Sequence, residues 1–302
     1  MDRTKPYFFG AILLLATASH LAMASQADYQ IELGYELEQT DYANSENTKT
    51  TVHTISFEYF LEPVKIDNQP LAEAAFMNRI SSFVAVHGQF DLDNNSRTAE
   101  GNTTALLYTH MQQGSPLRLA AIYAQQSADY TFKPGFPFFD YSYDRTITGL
   151  HIGSFIAQNT AIAFEYLTDK VDYSPTVYST FDYTLTQTKI TAKHLMPTGN
   201  GTMVNIEGDI GTDSYDNKNS ADTKNTVIKI TGEYYLNNMQ SIGGGFEQIS
   251  GDDNGEKGQA IAVLGKLFFT PKFFLAAKIR QFSGDGTSND NDEIVINANM
   301  RF

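Results

Sequence analysis

The sequence predicts an all-β fold: a transmembrane, antiparallel, up-and-down β-barrel of about fourteen strands, with twelve and sixteen as the neighbouring even counts. Three observations lead there. Apolar and polar residues alternate with period two along most of the chain. The connections between these runs alternate between long polar segments and short turns. The composition is aromatic, with 21 Phe and 17 Tyr, yet polar on average, with a mean hydropathy of -0.31. A helical membrane protein needs runs of about 18 apolar residues, and the region after the N-terminal segment has none.

The N-terminus reads as an export signal. Arg3 and Lys5 supply positive charge, Phe8 to Ala18 an apolar stretch, and Ala22-Met23-Ala24 a small-residue cleavage site. Cleavage is expected after Ala24, with Ala27 as a second site. Residues 1–24 are then the signal and 25–302 the barrel. A membrane anchor fits less well, because the apolar stretch is short and the cleavage site follows directly.

The first strand is the clearest. Tyr29, Ile31, Leu33, Tyr35 and Leu37 alternate with Gln30, Glu32, Gly34, Glu36 and Glu38. Neighbouring strand residues point to opposite faces, so one face is apolar and the other acidic. Similar alternation runs through Ile55–Leu61, Val84–Phe90, Leu117–Tyr123, Ile162–Tyr166, Val204–Ile210, Ile228–Tyr234, Phe273–Ile279 and Ile294–Phe302. Weaker strands cover 102–111, 145–155, 182–195, 240–249 and 259–269. Long polar connections are expected at 40–49, 93–101, 213–224, 250–257 and 284–292, and short turns at 112–116, 157–159, 197–201, 237–238 and 270–272. Outer-membrane barrels have long external loops and short periplasmic turns, and a soluble β-sandwich has no reason to sort its loops this way.

Two connections break the alternation. Residues 62–79 are long where a turn is due, and Leu71-Ala72-Glu73-Ala74-Ala75-Phe76-Met77 carries helix formers with apolar residues at helical spacing. A short amphipathic helix near 70–78 is expected at the periplasmic mouth. The segment 131–143 is aromatic and Pro-rich, and Phe132, Phe136, Phe138 and Phe139 are candidates for a constriction loop or a rim cap. With no Trp, Tyr and Phe must form the interfacial girdles; Tyr29, Tyr59, Tyr166, Tyr234, Phe269, Phe273 and Phe302 fall near strand ends.

Backbone groups cannot stay unpaired in hydrocarbon, so the sheet must close. Strands about 4.8 Å apart and tilted by about 40° close fourteen-fold at a radius of about 14 Å, too wide for one layer of side chains to fill. The inward positions then decide function. Glu32, Glu36, Glu58, Glu207, Asp209 and Glu233 are the candidate acidic pore-lining residues, and Arg118, Lys229, Lys266, Lys278, Arg280 and Arg301 the basic ones. The structural reading of the same set is mutual pairing in the wall. Acidic residues outnumber basic ones in the chain, 35 to 21, which predicts a weak cation bias.

Other chemistries find little support. A net charge of -14 argues against nucleic acid, which needs clustered Lys and Arg. The absence of Cys excludes disulfides, thiol catalysis and Cys-ligated zinc. Asp91-Leu92-Asp93-Asn94-Asn95 begins like a calcium loop but lacks the Gly that should follow, so neither metal nor cofactor is expected. His53, His87, His110, His151 and His194 are scattered on strands, and no G-x-S-x-G motif supports an outer-membrane hydrolase. A soluble periplasmic β-protein is a weaker alternative.

Tyr59-Phe60, Pro63 and Pro70-Leu71-Ala72-Glu73-Ala74-Ala75-Phe76-Met77-Asn78-Arg79 resemble a porin family of gammaproteobacterial outer-membrane β-barrels. The strand layout extends the likeness along the whole region after the signal. Met300-Arg301-Phe302 is similar to the terminal aromatic signature that delivers such barrels to the assembly machinery. The resemblance implies a porin. The expected function is a water-filled channel for small polar solutes, in contact with lipid and lipopolysaccharide, as a monomer or homo-oligomer. The alternative is a non-conducting barrel serving adhesion or envelope integrity.

Overall fold

A computed structural model describes residues 28–43, 47–66, 70–111, 115–135, 140–175, 183–199, 202–217, 222–252, 257–284 and 290–302. The export signal with its cleavage site, and Phe136, Phe138 and Phe139, lie outside these residues.

Fourteen strands make one closed antiparallel barrel. They are β1 (Tyr29–Tyr42), β2 (Lys49–Val64), β3 (Ser82–Asp93), β4 (Arg97–Met111), β5 (Leu117–Phe132), β6 (Tyr141–Ala157), β7 (Thr160–Pro175), β8 (Tyr183–Gly199), β9 (Thr202–Asn217), β10 (Thr223–Asn237), β11 (Gln240–Gly251), β12 (Gly258–Thr270), β13 (Phe273–Gly284) and β14 (Asn291–Arg301). Each strand pairs with its sequence neighbours, and β14 closes on β1 from Glu32↔Arg301 to Tyr42↔Asn291. The terminal residue completes the seam: the Phe302 N–H donates to the Ile31 carbonyl at 2.8 Å, and its carbonyl accepts from Gln30 N–H at 2.7 Å.

The registers fix the shape. A hydrogen-bonded row followed around the wall returns to β1 displaced by about fourteen residues, which sets a strand tilt of about 36° and a backbone radius of about 13 Å. With that stagger, the outward apolar residues line up at one height. Ile55, Phe57, Tyr59 and Leu61 on β2 join Ile228, Ile230, Tyr234 and Leu236 on β10 and Ile294 and Ile296 on β14, all exposed. The belt is about 24 Å tall and encircles the barrel, as a bilayer core requires. Tyr123 and Tyr166 sit at its external edge, and Phe269 stacks on Phe273 (5.5 Å) at the periplasmic edge.

Three features differ from the sequence expectation. The register slips between Tyr29 and Ile31, so Tyr29 turns inward and packs edge-on against Phe60 at 5.5 Å instead of joining a girdle. On β3 the more apolar face is the inner one: Phe83 is outward beside Tyr59, which puts Val84, Val86 and Phe90 inside and His87 outside. Finally, residues 93–101 are a tight turn, not a long loop. The Asn94 side-chain carbonyl accepts from the N–H groups of Ser96 (2.9 Å) and Arg97 (2.8 Å), and the ladder continues on both sides.

The helix expected near 70–78 is present as a 3₁₀ turn, Leu71–Glu73, followed by α1 (Ala74–Asn78). It lies at the periplasmic mouth, as expected, and folds into the bore.

Candidate functional site: a plugged, charge-lined lumen

The β2–β3 connection reaches across the periplasmic mouth. Ala74 and Ile80 pack with Tyr29, Phe60 and Val64, on the side where the segment leaves the wall. Leu71 packs on Phe268 and Phe274 of β12 and β13. The Leu71 N–H donates to the Asn238 carbonyl (3.0 Å), and its carbonyl accepts from Arg301 (2.9 Å). Phe76 meets Phe155 of β6 at 5.1 Å. Arg79 lies over that same ring at 4.1 Å and donates to the carbonyls of Ala157 and Gln158 in the β6–β7 turn. Arg79 closes α1 in the left-handed region, at φ 54, a strain of about 1 kcal/mol for a residue with a Cβ that these anchors offset.

Glu73 holds the centre of this plug. Its carboxylate accepts from the Tyr235 hydroxyl at 2.6 Å and Asn205 at 3.4 Å, and pairs with Lys193 at 2.7 Å. Three adjacent strands, β8 to β10, therefore converge on one acid that is 4% exposed. A buried carboxylate is tolerated only with such partners. Lys193 also covers the face of Phe76 at 4.7 Å. Arg301 does the same on the opposite side: it pairs with Glu32 at 2.7 Å and lies over the rings of Tyr29, Phe268 and Phe274.

Above the plug the lumen widens into a cavity of about 400 Å³ along β8–β14. Lys193, Lys229, Lys266, Lys278 and Arg280 line it together with Glu73, Glu207, Glu233 and Glu247. Most of these charges are paired. Glu233 accepts from Ser241 and pairs with Lys266 at 3.0 Å. Arg280 bridges Glu247 (3.0 Å) and Glu293 (3.8 Å), and Lys278 meets Glu293 at 2.5 Å. Asp209 accepts from the Thr191 hydroxyl at 2.6 Å. Lys229 stands in register between Asp209 and Glu247. Glu36 faces inward from β1, beside Thr54 on β2 and Asn297 on β14. Arg118, near the foot of β5, lies in the field of Glu207, Glu165 and Glu58, from three other strands, and its Nε is buried without a hydrogen-bond partner among the described residues.

All twelve candidate charged residues thus occupy the face opposite the apolar belt, and Glu32 with Arg301 and Glu233 with Lys266 are brought together as pairs. Among the described inward residues carboxylates exceed cations only narrowly, so most of the chain's negative charge lies elsewhere. Phe132 ends β5 opposite Arg97 on the inner face and touches the Tyr141 ring at 6.2 Å. Sequence reasoning did not single out Glu73 or the inward Arg145–Asp169 pair at 2.5 Å. One signal pointed to Glu73: it is the only acid in the apolar run Leu71–Met77.

The chain is similar to the outer membrane protein Omp33 of Acinetobacter baumannii, at 18% identity and a TM-score of 0.56, covering 92% of this chain and 100% of that one. It is also similar to the toluene transporter TbuX of Ralstonia pickettii, at 12% identity and a TM-score of 0.53, covering 92% and 90%. A TodX monoaromatic hydrocarbon channel mutant matches at 10% identity and a TM-score of 0.52, over 92% and 91%. At these identities the likeness is one of fold. No curated protein matches the chain. The family described as "Putative general bacterial porin" matches residues 8–302, and the chain belongs to that family of outer-membrane barrels.

Proposed function

We propose that this porin passes small hydrophilic solutes by passive diffusion through water inside the barrel, with a weak cation bias. The observation that carries this reading is the cavity above Glu73, into which nine charged side chains project beside small and apolar ones, where a filled core would hold packed apolar residues alone. Its pore-lining set is Glu32, Glu36, Glu58, Glu207, Asp209 and Glu233 against Arg118, Lys229, Lys266, Lys278, Arg280 and Arg301. Opposed charges across the bore order water and polar solutes. The cation bias rests on the small inward surplus of carboxylates and on the acidic external segments, which raise cation concentration at the entrance. Passage is limited at the periplasmic mouth, where the plug narrows the bore. A further constriction by Phe132, Phe136, Phe138 and Phe139 belongs to the same reading.

Planar-bilayer recording tests it. Pure protein is expected to give discrete conductance steps and, in a KCl gradient, a reversal potential of the sign set by cation preference. Silence in the bilayer would favour the second reading, a non-conducting barrel for adhesion or envelope integrity, which the plug makes specific. Esterase or peptidase turnover by pure protein would overturn both. The reading also includes signal cleavage after Ala24, delivery to the assembly machinery through Phe302, contact with lipopolysaccharide, and a monomer or homo-oligomer in the membrane.

A further inference from the structure

Strands β4–β9 rise higher than β11–β14 on the external side, and the inner face of this tall wall is aromatic. Tyr130, Tyr141, Tyr143, Tyr173, Tyr183 and Tyr215 follow one another from β5 to β9 at nearly one height, about 15 Å beyond the external edge of the apolar belt. Their rings form a continuous chain: Tyr130 stacks on Tyr141 at 4.6 Å, Tyr141 and Tyr143 each meet Tyr173 at 6.0 and 5.8 Å, Tyr173 meets Tyr183 at 6.2 Å, and Tyr183 meets Tyr215 at 6.5 Å. The arc spans about 23 Å of wall. All six rings are half-buried, so each keeps surface toward the lumen.

Directly below the rings runs a row of planar polar groups. Arg145 donates to Gln126 at 3.2 Å and to both Asp169 oxygens at 2.9 Å, and Gln187 donates to Asp213 at 3.2 Å. Above them Arg97 donates to the Tyr141 hydroxyl at 2.9 Å and lies over Tyr130 at 5.2 Å. Lipid does not reach this height, so the rings are not a membrane girdle.

We propose that this arc is a binding surface for neutral pyranose sugars, held in extended chains of several units. A pyranose ring has an apolar C–H face that stacks on a phenol ring, and equatorial hydroxyls that both donate and accept. The rings match the first property; the phenol hydroxyls and the Arg, Asp and Gln row match the second. An aromatic hydrocarbon would leave the polar row unmatched. The Arg145–Asp169 pair is neutral as a unit, so an anion meets the Asp213 charge and a cation meets that of Arg97. The length of the arc predicts that a chain binds better than a disaccharide. The site depends on the vestibule alone and does not require the lumen to conduct.

Calorimetric titration of the folded, detergent-solubilised full-length protein tests this independently of transport. The probes are maltose, maltotetraose, benzyl alcohol and a polyethylene glycol matched in mass to the tetraose. Maltotetraose is expected to bind, more tightly than maltose, while the glycol gives no saturable heat. Tyr141→Ala with Tyr173→Ala is expected to weaken tetraose binding by about tenfold with the barrel still folded, since each ring contributes its own stacking contact. The Tyr→Phe pair, which keeps the rings, retains most of the affinity. The proposal is overturned if the folded protein takes up no tetraose, if benzyl alcohol binds in its place, or if the Tyr→Ala pair binds tetraose like the parent.

Discussion

The two ends of this lumen are built on opposite principles. At the periplasmic end a chain segment crosses the bore, and its buried polar groups find partners in the wall: Glu73 in Tyr235, Asn205 and Lys193, and the Leu71 carbonyl in Arg301. At the external end no described segment crosses the bore, and the wall itself carries the chemistry, in half-buried tyrosines. One end is held by interactions already satisfied; the other presents groups with capacity to spare. Under the proposed function, solutes are sampled at the outer end and metered at the inner one.

The largest expected effect comes from removing the closed end. Replacing residues 66–79 by a short Gly-Ser turn should raise single-channel conductance several-fold, because the segment lies across the mouth. An unchanged conductance would show that current does not pass there. Next is Glu73→Ala, which strands Lys193 and the Tyr235 hydroxyl in a buried site; about 3 kcal/mol of stability should be lost, read as a lowered denaturation midpoint in detergent. Glu73→Gln should lose less, since an amide still accepts from Tyr235. Arg301→Ala removes the Glu32 pair, the Leu71 bond and three ring contacts. A loss of about 2 kcal/mol is expected, smaller because Glu32 can rehydrate toward the lumen. At the bottom of the scale, Asp41→Asn at the external rim breaks a 4.0 Å pair with Lys49 whose side chains are 58% and 67% exposed; the midpoint should move by less than about 0.5 kcal/mol.

Much of the barrel was legible because the bilayer imposes a simple code. Within the belt, outward residues must be apolar, so Ile228, Ile230 and Tyr234 announce their face against Lys229, Thr231 and Glu233. The code fails where lipid stops constraining the chain. Beyond the external edge the outward face turns polar, so residues 93–101 read as a loop although the ladder persists. On β3 the inner wall is apolar too, and Val84 with Val86 reads as the lipid face although Phe83 holds it. The inward turn of Tyr29 depends on a register irregularity between Tyr29 and Ile31 that leaves no compositional trace. The helical segment 70–78 was legible by its spacing, but its partners were not. Tyr235 and Lys193 are more than a hundred residues away in sequence, and only closure of the sheet brings them to Glu73. The tyrosine arc was hidden for the same reason: its members stand at the external ends of separate strands, and alignment at one height follows from the stagger of the whole barrel.

Within the belt, neighbouring residues of a strand face water and lipid in turn, and the lumen exists only if they do. The chain has no Cys, so single cysteines can be placed without background. Thr231 and Ile230 are adjacent at mid-belt on β10, and Thr231 lines the cavity while Ile230 is in the apolar belt. In intact outer membranes a water-soluble, membrane-impermeant maleimide should label Thr231→Cys and leave Ile230→Cys unmodified. Equal labelling of the two, or labelling of Ile230→Cys alone, would contradict the account.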